Sequence, residues 1–352
     1  MNQKYQSDLI AIIGMACRFP EANDHNQFWQ NIEQGINSIS EIPSQRWEVQ
    51  KYYSDTPETP NKTISKWAGI TEDIDQFDAE FFDISPREAT RTDPQQRILL
   101  ELSWSCIEDA GYSPSQLSGK EVGVFIGACS YDSILLMNQN QDNVEGHSGT
   151  GTWTCMIPNR ISSFFNLHGP SIPIDTACSS SLVAIHYAVK SLKESECEMA
   201  LVGGISVLFT STTYIQMSQL GMLSPTGQCR TFSSDADGYV RGEGAGVVLL
   251  KPLKKAIEDG DRIYGVIKGS AINHGGRART LTSPNVYAQS QVLRSAYTNA
   301  NIPPNTVSYI EAHGTGTPLG DPIEINALKR GFKQLHQQYG LGKSRSEERR
   351  VG

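Results

Sequence analysis

The sequence predicts an α/β fold, and three observations carry that prediction. Short runs rich in Ile, Val and Leu alternate with segments of helical periodicity. Two of the helical segments open on Asp-Pro, the pattern of an N-cap followed by proline at the first helical position. Two distant stretches, around Cys178 and His313, share one layout of strand, reactive residue, small polar loop and helix. Alternation of this kind builds largely buried sheets covered by helices.

In chain order, "DLIAIIGMA" reads as the first strand. Asp8 in its polar lead and its short, Ile-rich apolar run set it apart from a secretory signal. "NQFWQNIEQG" reads as a helix. Residues 40–95 are poorer in pattern and richer in Pro, Trp and charge, and read as an excursion over the surface. Within them "SPREATRTDPQQR" reads as a solvated loop leading into the helix "DPQQRILLELSWSCIEDAGY". Then come a strand in "EVGVFIGA", a helix in "SSSLVAIHYAVKSLKE", and strands in "EMALVGGISVL", "GAGVVLLKPL" and "RIYGVIKGSAI". A helix in "YAQSQVLRSAYTNANI", a strand in "VSYIEAHG" and a helix in "DPIEINALKRGFKQL" follow.

The 352 residues suit one large two-part domain or two domains. A net charge of -8 spread along the chain leaves no basic footprint for nucleic acid or an anionic membrane. No apolar run approaches the ~18 residues of a membrane helix. The 7 cysteines form no CxxC pair, which argues against a zinc site and a secreted disulfide framework and for reduced thiols in a cytoplasm. No HExxH is present, "RGEGAGVV" precedes a strand rather than a helix, and "GLGKS" lacks the upstream glycine of a phosphate loop.

"IDTACSSSLVAI" sets Cys178 between an apolar run and a helix. Thiol nucleophiles act as thiolates, and a helix starting near Ser179 would turn its free N–H groups and positive dipole end toward the sulfur. Small neighbours leave room for a substrate, and the Cys178 N–H can serve as an oxyanion donor. The layout is that of a nucleophile elbow with Cys in place of Ser; a buried structural thiol is the alternative. "EAHGTGTPLG" sets His313 beside glycines that let backbone approach a ligand, with hydroxyls from Thr315 and Thr317. His313 there can donate to a thioester or enolate oxygen, or be held by backbone. His274 in "INHGGRA" reads as a hydrogen-bonded turn residue, and His186 as core.

Taken together, "DTACSSSLVAIH" and "EAHGTGTPLGDPIE", with "IAIIGMACRFP", "FDAEFFDISPREA", "DPQQRILLE", "PNRISSFFNLHGPS", "FSSDADGYVRGEGAGVVLLKPL" and "INHGG", resemble the ketosynthase domain of type I modular polyketide synthases, up to about residue 336. The resemblance implies a thiolase-like fold of two related βαβ-type halves in a layered αβαβα core, dimeric when complete. It implies that Cys178 takes an acyl group from a carrier protein's phosphopantetheine thioester. A malonyl-type carrier thioester then decarboxylates and condenses with it. His313 would support decarboxylation, and Thr315 and Thr317 would line the pantetheine arm. No bound cofactor is implied; the partners implied are an acyl carrier protein and other synthase domains. A non-elongating acyl-transfer or carrier-binding domain is the alternative, and a thiolase a weaker one.

"KWAGI" departs from the family's usual double glycine, and Asp83 stands where glycine is common. The family continues past residue 340 into a lysine and a second catalytic histidine, absent from this sequence. The expected division is an N-terminal half over residues 1–256, an incomplete C-terminal half over residues 257–344, and a non-native tail over residues 345–352. That tail, "RSEERRVG", can be back-translated to a common sequencing-adapter read. The chain alone is expected not to condense.

Overall fold

A computed structural model describes residues 9–139 and 144–341, so residues 345–352 lie outside the described residues. The chain divides into two compact units. Unit 1 comprises residues 1–52, 66–214 and 241–267, and unit 2 comprises residues 53–65, 215–240 and 268–352.

Unit 1 is built on β1 (Ile10–Arg18), β2 (Ile39–Glu41), β3 (Trp67–Gly69), β4 (Val122–Ala128), β5 (Ser171–Ile174), β6 (Met199–Ser206), β7 (Arg241–Gly242), β8 (Gly244–Pro252) and β9 (Gly265–Ile267). Six of them form one sheet in the order β5-β4-β6-β8-β1-β9, and β2-β3-β7 form a small second sheet. β4 runs parallel to β5 and β6, while β8 is antiparallel to both β6 and β1. The helix Ser180–Lys193 joins β5 to β6, a crossover that parallel strands require.

Side chains alternate between the two faces of the large sheet. Ile13, Val124, Ile126, Leu201, Val247 and Leu249 face one core, which the helices Pro94–Asp109 and Met156–Phe165 cover with Leu99, Ile107 and Ile161. Phe125, Ala200, Val202 and Leu250 face the other, closed by Ala184, Ala188 and Leu192 of Ser180–Lys193. Burial on both faces explains why these strands read as near-continuous apolar runs.

Two expectations for residues 40–95 are corrected. The segment is not a surface excursion: Ile42, Trp47 and Ala68 are buried, and Ile74, Phe82, Ile84 and Ala89 belong to the core. Nor is "SPREATRTDPQQR" a solvated loop. Ser85 caps a short helix, Pro86–Ala89, and Thr92, Asp93, Gln95 and Gln96 are buried. Glu88 pairs with Arg160 at 2.7 Å, and Gln96 donates to the Gly151 carbonyl at 2.8 Å. Single anchors hold this segment, so it carries no periodic signal.

In unit 2 the helices Val286–Ala300 and Gly320–Gln338 pack together, with Tyr297 and Phe332 ring centroids 5.5 Å apart. The strand expected in "VSYIEAHG" is not found; residues 307–317 have no regular structure. Of "RIYGVIKGSAI" only Gly265–Ile267 is strand, paired with β1. A strand exists only where a neighbour completes its ladder, and among the described residues 307–314 find none. Asp93 caps its helix as expected, accepting from the Gln95 N–H. Asp321 does not: its helix starts at Gly320, and the carboxylate turns to loop amides instead.

Candidate active site

Cys178 lies in unit 1. β5 ends at Ile174, a single 3-10 turn spans Ala177–Ser179, and the helix starts at Ser180. Cys178 is exposed. Ala177, before it, adopts φ 54°, a left-handed conformation that costs an L-residue with a Cβ about 1 kcal/mol. This is the strained strand-to-helix elbow expected from the sequence.

Side chains on both flanks hold the strain. On one, Ser180 Oγ accepts from the Thr176 N–H at 2.9 Å and donates to the Ala177 carbonyl at 2.6 Å, while Ser179 Oγ donates to the Thr176 carbonyl at 2.9 Å. The serines after Cys178 are therefore braces as well as small neighbours. On the other flank, Asp175 Oδ1 accepts from the Ala177 N–H at 3.0 Å, and Asp175 Oδ2 accepts from the Tyr131 hydroxyl.

The helix can start here because two strands present glycine beneath it. A Cβ on Gly127 of β4 would lie 2.6 Å from Ser181 N, and one on Gly204 of β6 would lie 2.7 Å from Ser181 Cβ. Neither glycine was singled out from the sequence; "FIGA" and "LVGGI" carry the signal. Cys129 follows β4 in the same unit. Partial burial pushes its thiol up, Asp175 and Cys178 add to this, and Arg241 opposes it.

His313, Thr315 and Thr317 lie in unit 2. His313 is exposed. Its N–H and that of Gly314 donate to the two Glu324 carboxylate oxygens at 2.7 and 2.8 Å, so the following helix clamps the histidine's backbone. Asp321, 4% exposed, accepts from Gly316 N at 3.0 Å and Phe232 N at 2.6 Å. Gly314 and Gly316 are left-handed at φ 54° and 66°, which is why the loop alternates glycine with threonine. The Thr315 and Thr317 hydroxyls meet at 3.0 Å, and Thr317 Oγ1 accepts from Gly320 N. Cys229 Sγ packs on the Gly314 and Thr315 carbonyls. Sequence reasoning missed Glu324 and Asp321 as clamps, because an acidic helix start is ordinarily read as capping alone.

His274 accepts from the Gly276 N–H at 2.9 Å, a hydrogen-bonded turn as expected. His186 is half-buried rather than fully core; desolvation, then Lys190 and Lys193, hold its imidazole below the usual range.

Two family models match the chain: the beta-ketoacyl synthase N-terminal domain over residues 7–256 and the C-terminal domain over residues 264–347. The chain is 52% identical over 326 residues to polyketide synthase PksN of Bacillus subtilis, covering 93% of this chain and 6% of that protein. It is 48% identical to polyketide synthase ThaG of Burkholderia thailandensis over 93% of this chain and again 6% of the relative. Among solved structures it is similar to the ketosynthase from module 6 of the Bacillus subtilis bacillaene synthase, at TM-score 0.85 and 43% identity over 93% of this chain and 55% of that one. The Streptomyces albus oxazolomycin ketosynthase domain OzmH KS7 gives TM-score 0.88 and 40% identity over 92% of this chain and 56% of that one. The chain thus spans a small fraction of the curated synthases and about half of the solved ketosynthase chains. Its thiolase-like α/β fold is theirs, and the chain belongs to the beta-ketoacyl synthase family, among the ketosynthase domains of polyketide synthases.

Proposed function

We propose that this chain is the part of a ketosynthase that supplies the acyl-accepting nucleophile, Cys178, for the condensing chemistry of a polyketide chain-extension step. The observation that carries this reading is the placement of Cys178: exposed, at the tip of a strained turn between strand and helix, with the helix N-terminus behind it. That end of a helix favours a negative sulfur.

In this reading the Cys178 thiolate attacks the thioester carbonyl of an acyl chain carried on phosphopantetheine. The carbonyl carbon bonds to Sγ, its bond to the pantetheine sulfur breaks, and the released carrier thiolate takes up the proton Cys178 gave up. A malonyl-type carrier thioester then loses CO2, and the bonding pair becomes an enolate. The enolate carbon attacks the Cys178 thioester, a C–C bond forms, the C–Sγ bond breaks, and the thiolate returns. His313, backbone-clamped by Glu324, is the proposed donor to the developing enolate oxygen, and Thr315 and Thr317 line the pantetheine arm. A carrier protein and neighbouring synthase domains are the proposed partners.

The test is acylation of the 352-residue chain by an acyl-pantetheine thioester, read by peptide mass spectrometry. The acyl mass is expected on the Cys178 peptide and is lost in Cys178→Ala. An adduct confined to Cys155 or Cys229 and unchanged in Cys178→Ala would overturn the assignment. His313→Ala is expected to keep the Cys178 acyl-enzyme, because the proposed role of the histidine begins only after acylation.

A further inference from the structure

We propose that Tyr131 and Asp175 form a positioning pair that sets the orientation and the charge environment of the Cys178 thiol. The inference deepens the function proposed above and rests on Cys178 being the nucleophile.

Three observations point to it. First, Asp175 accepts from the Ala177 N–H at 3.0 Å, and Ala177 is the residue whose left-handed backbone aims Cys178. Second, the other Asp175 oxygen accepts from the Tyr131 hydroxyl, which comes from the loop after β4, 44 residues away in sequence. The pair therefore ties the elbow to the end of the neighbouring strand, and a carboxylate that binds two donors is fixed in both position and direction. Third, the hydrogen bond to Asp175 and partial burial hold the Tyr131 phenol above its ordinary range, so Tyr131 remains a donor throughout the pH range in which a thiol ionises.

The electrostatic consequence has a definite sign. Within unit 1, Asp175 pushes the Tyr131 phenol up, burial and Asp175 push the Cys129 thiol up, and Arg241 opposes the shift on Cys129. A carboxylate held near a thiol opposes the thiolate. The Tyr131 hydroxyl draws the Asp175 charge toward itself and weakens that opposition. Tyr131→Phe leaves the full carboxylate charge facing the elbow. Asp175→Asn removes the charge, yet its amide oxygen can still accept from Ala177 N and its NH2 can still donate to the tyrosine oxygen. The two substitutions alter the charge on one pair in opposite electrostatic senses.

The experiment is the pH dependence of Cys178 acylation by an acyl-pantetheine thioester, in the 352-residue chain and in Tyr131→Phe, Asp175→Asn and Cys178→Ala, with melting temperatures alongside. Tyr131→Phe is expected to slow acylation about tenfold near neutral pH and to move the profile midpoint up, as expected for loss of a charge-assisted hydrogen bond at a reacting centre. Asp175→Asn is expected to move the midpoint down. Tyr131 is 48% exposed, so neither change should lower the melting temperature by more than a few degrees. If the parent chain is not acylated on Cys178, the functional reading itself fails. If the parent is acylated and both variants keep its midpoint, or both move it the same way, the positioning pair is refuted and the nucleophile stands. If Tyr131→Phe alone melts far below the parent, the midpoint of Asp175→Asn decides: a downward shift supports the pair and an unchanged one refutes it.

Discussion

At the scale of single residues, thiol chemistry separates the cysteines by environment. Burial and the Asp24 charge push Cys17 up to about 11, and burial raises Cys129 and Cys197 as well. A raised thiol is scarce as thiolate below its folded pKa, and its reactivity grows tenfold per pH unit until that value is passed. Alkylation of Cys129 by iodoacetamide should therefore keep rising above about pH 9, where an ordinary thiol levels off. A plateau at or below that pH, read peptide by peptide, would contradict the raised value. The turn that carries Cys178 was legible because its flanking residues announce a strand-to-helix junction. Cys129 was not, because its neighbours Asp175 and Arg241 come from distant parts of the sequence.

At the scale of elements, the nucleophile turn depends on the surface beneath it. The helix Ser180–Lys193 starts in contact with β4 and β6 because both strands lack a side chain at the crossing point. Gly127→Ala places a methyl 2.6 Å from the Ser180 carbonyl carbon and Ser181 N, and backbone, unlike a long side chain, cannot swing away. A cost of about 1–3 kcal/mol is expected from overpacking, measured by urea unfolding. Because the first turn must lift, Cys178 acylation should fall as well; full stability and full acylation together would show that the contact is relaxed. The same scale explains where sequence patterns succeeded and failed. Asp93-Pro94 marked a true helix start, since the cap bond is local. Asp321-Pro322 did not, since the loop amides of Gly316 and Phe232 outcompete a cap for the carboxylate. The alternation in residues 307–314 mimics a strand, but no ladder partner completes it among the described residues.

At the scale of the molecule, unit 1 is a sheet covered on both faces, and its margin is tied by charge. Lys251 of β8, with a side chain 6% exposed, pairs with Asp259 at 2.6 Å and Asp261 at 2.7 Å and donates to the Tyr112 hydroxyl at 2.8 Å. Desolvation works against its charge, but the hydrogen bonds it donates to Asp259, Asp261 and Tyr112 outweigh it and leave the ammonium above its ordinary range. A raised lysine contributes fully below its unfolded pKa and loses that contribution only as pH climbs through the higher folded value. The network is therefore intact at neutral pH. Lys251→Met should cost about 3–5 kcal/mol, because it strands the buried Asp261 carboxylate. A denaturation midpoint within error of the parent would show that the ions are solvated. Among the described residues no helix is long and apolar enough to cross a membrane.

What the sequence determined by itself was local: the α/β class, the four long strands, most of the long helices, and the two loops that present Cys178 and His313. These follow from periodicity, caps and turn chemistry, all of which act over a few residues. Tertiary structure alone decided what braces those loops. Tyr131 reaches Asp175, Glu324 folds back on the His313 backbone, Gly127 and Gly204 meet beneath one helix, and residues 40–95 anchor in the core. Each of these is a contact between segments far apart in sequence. It leaves no period to read, and it exists only once packing has closed the distance.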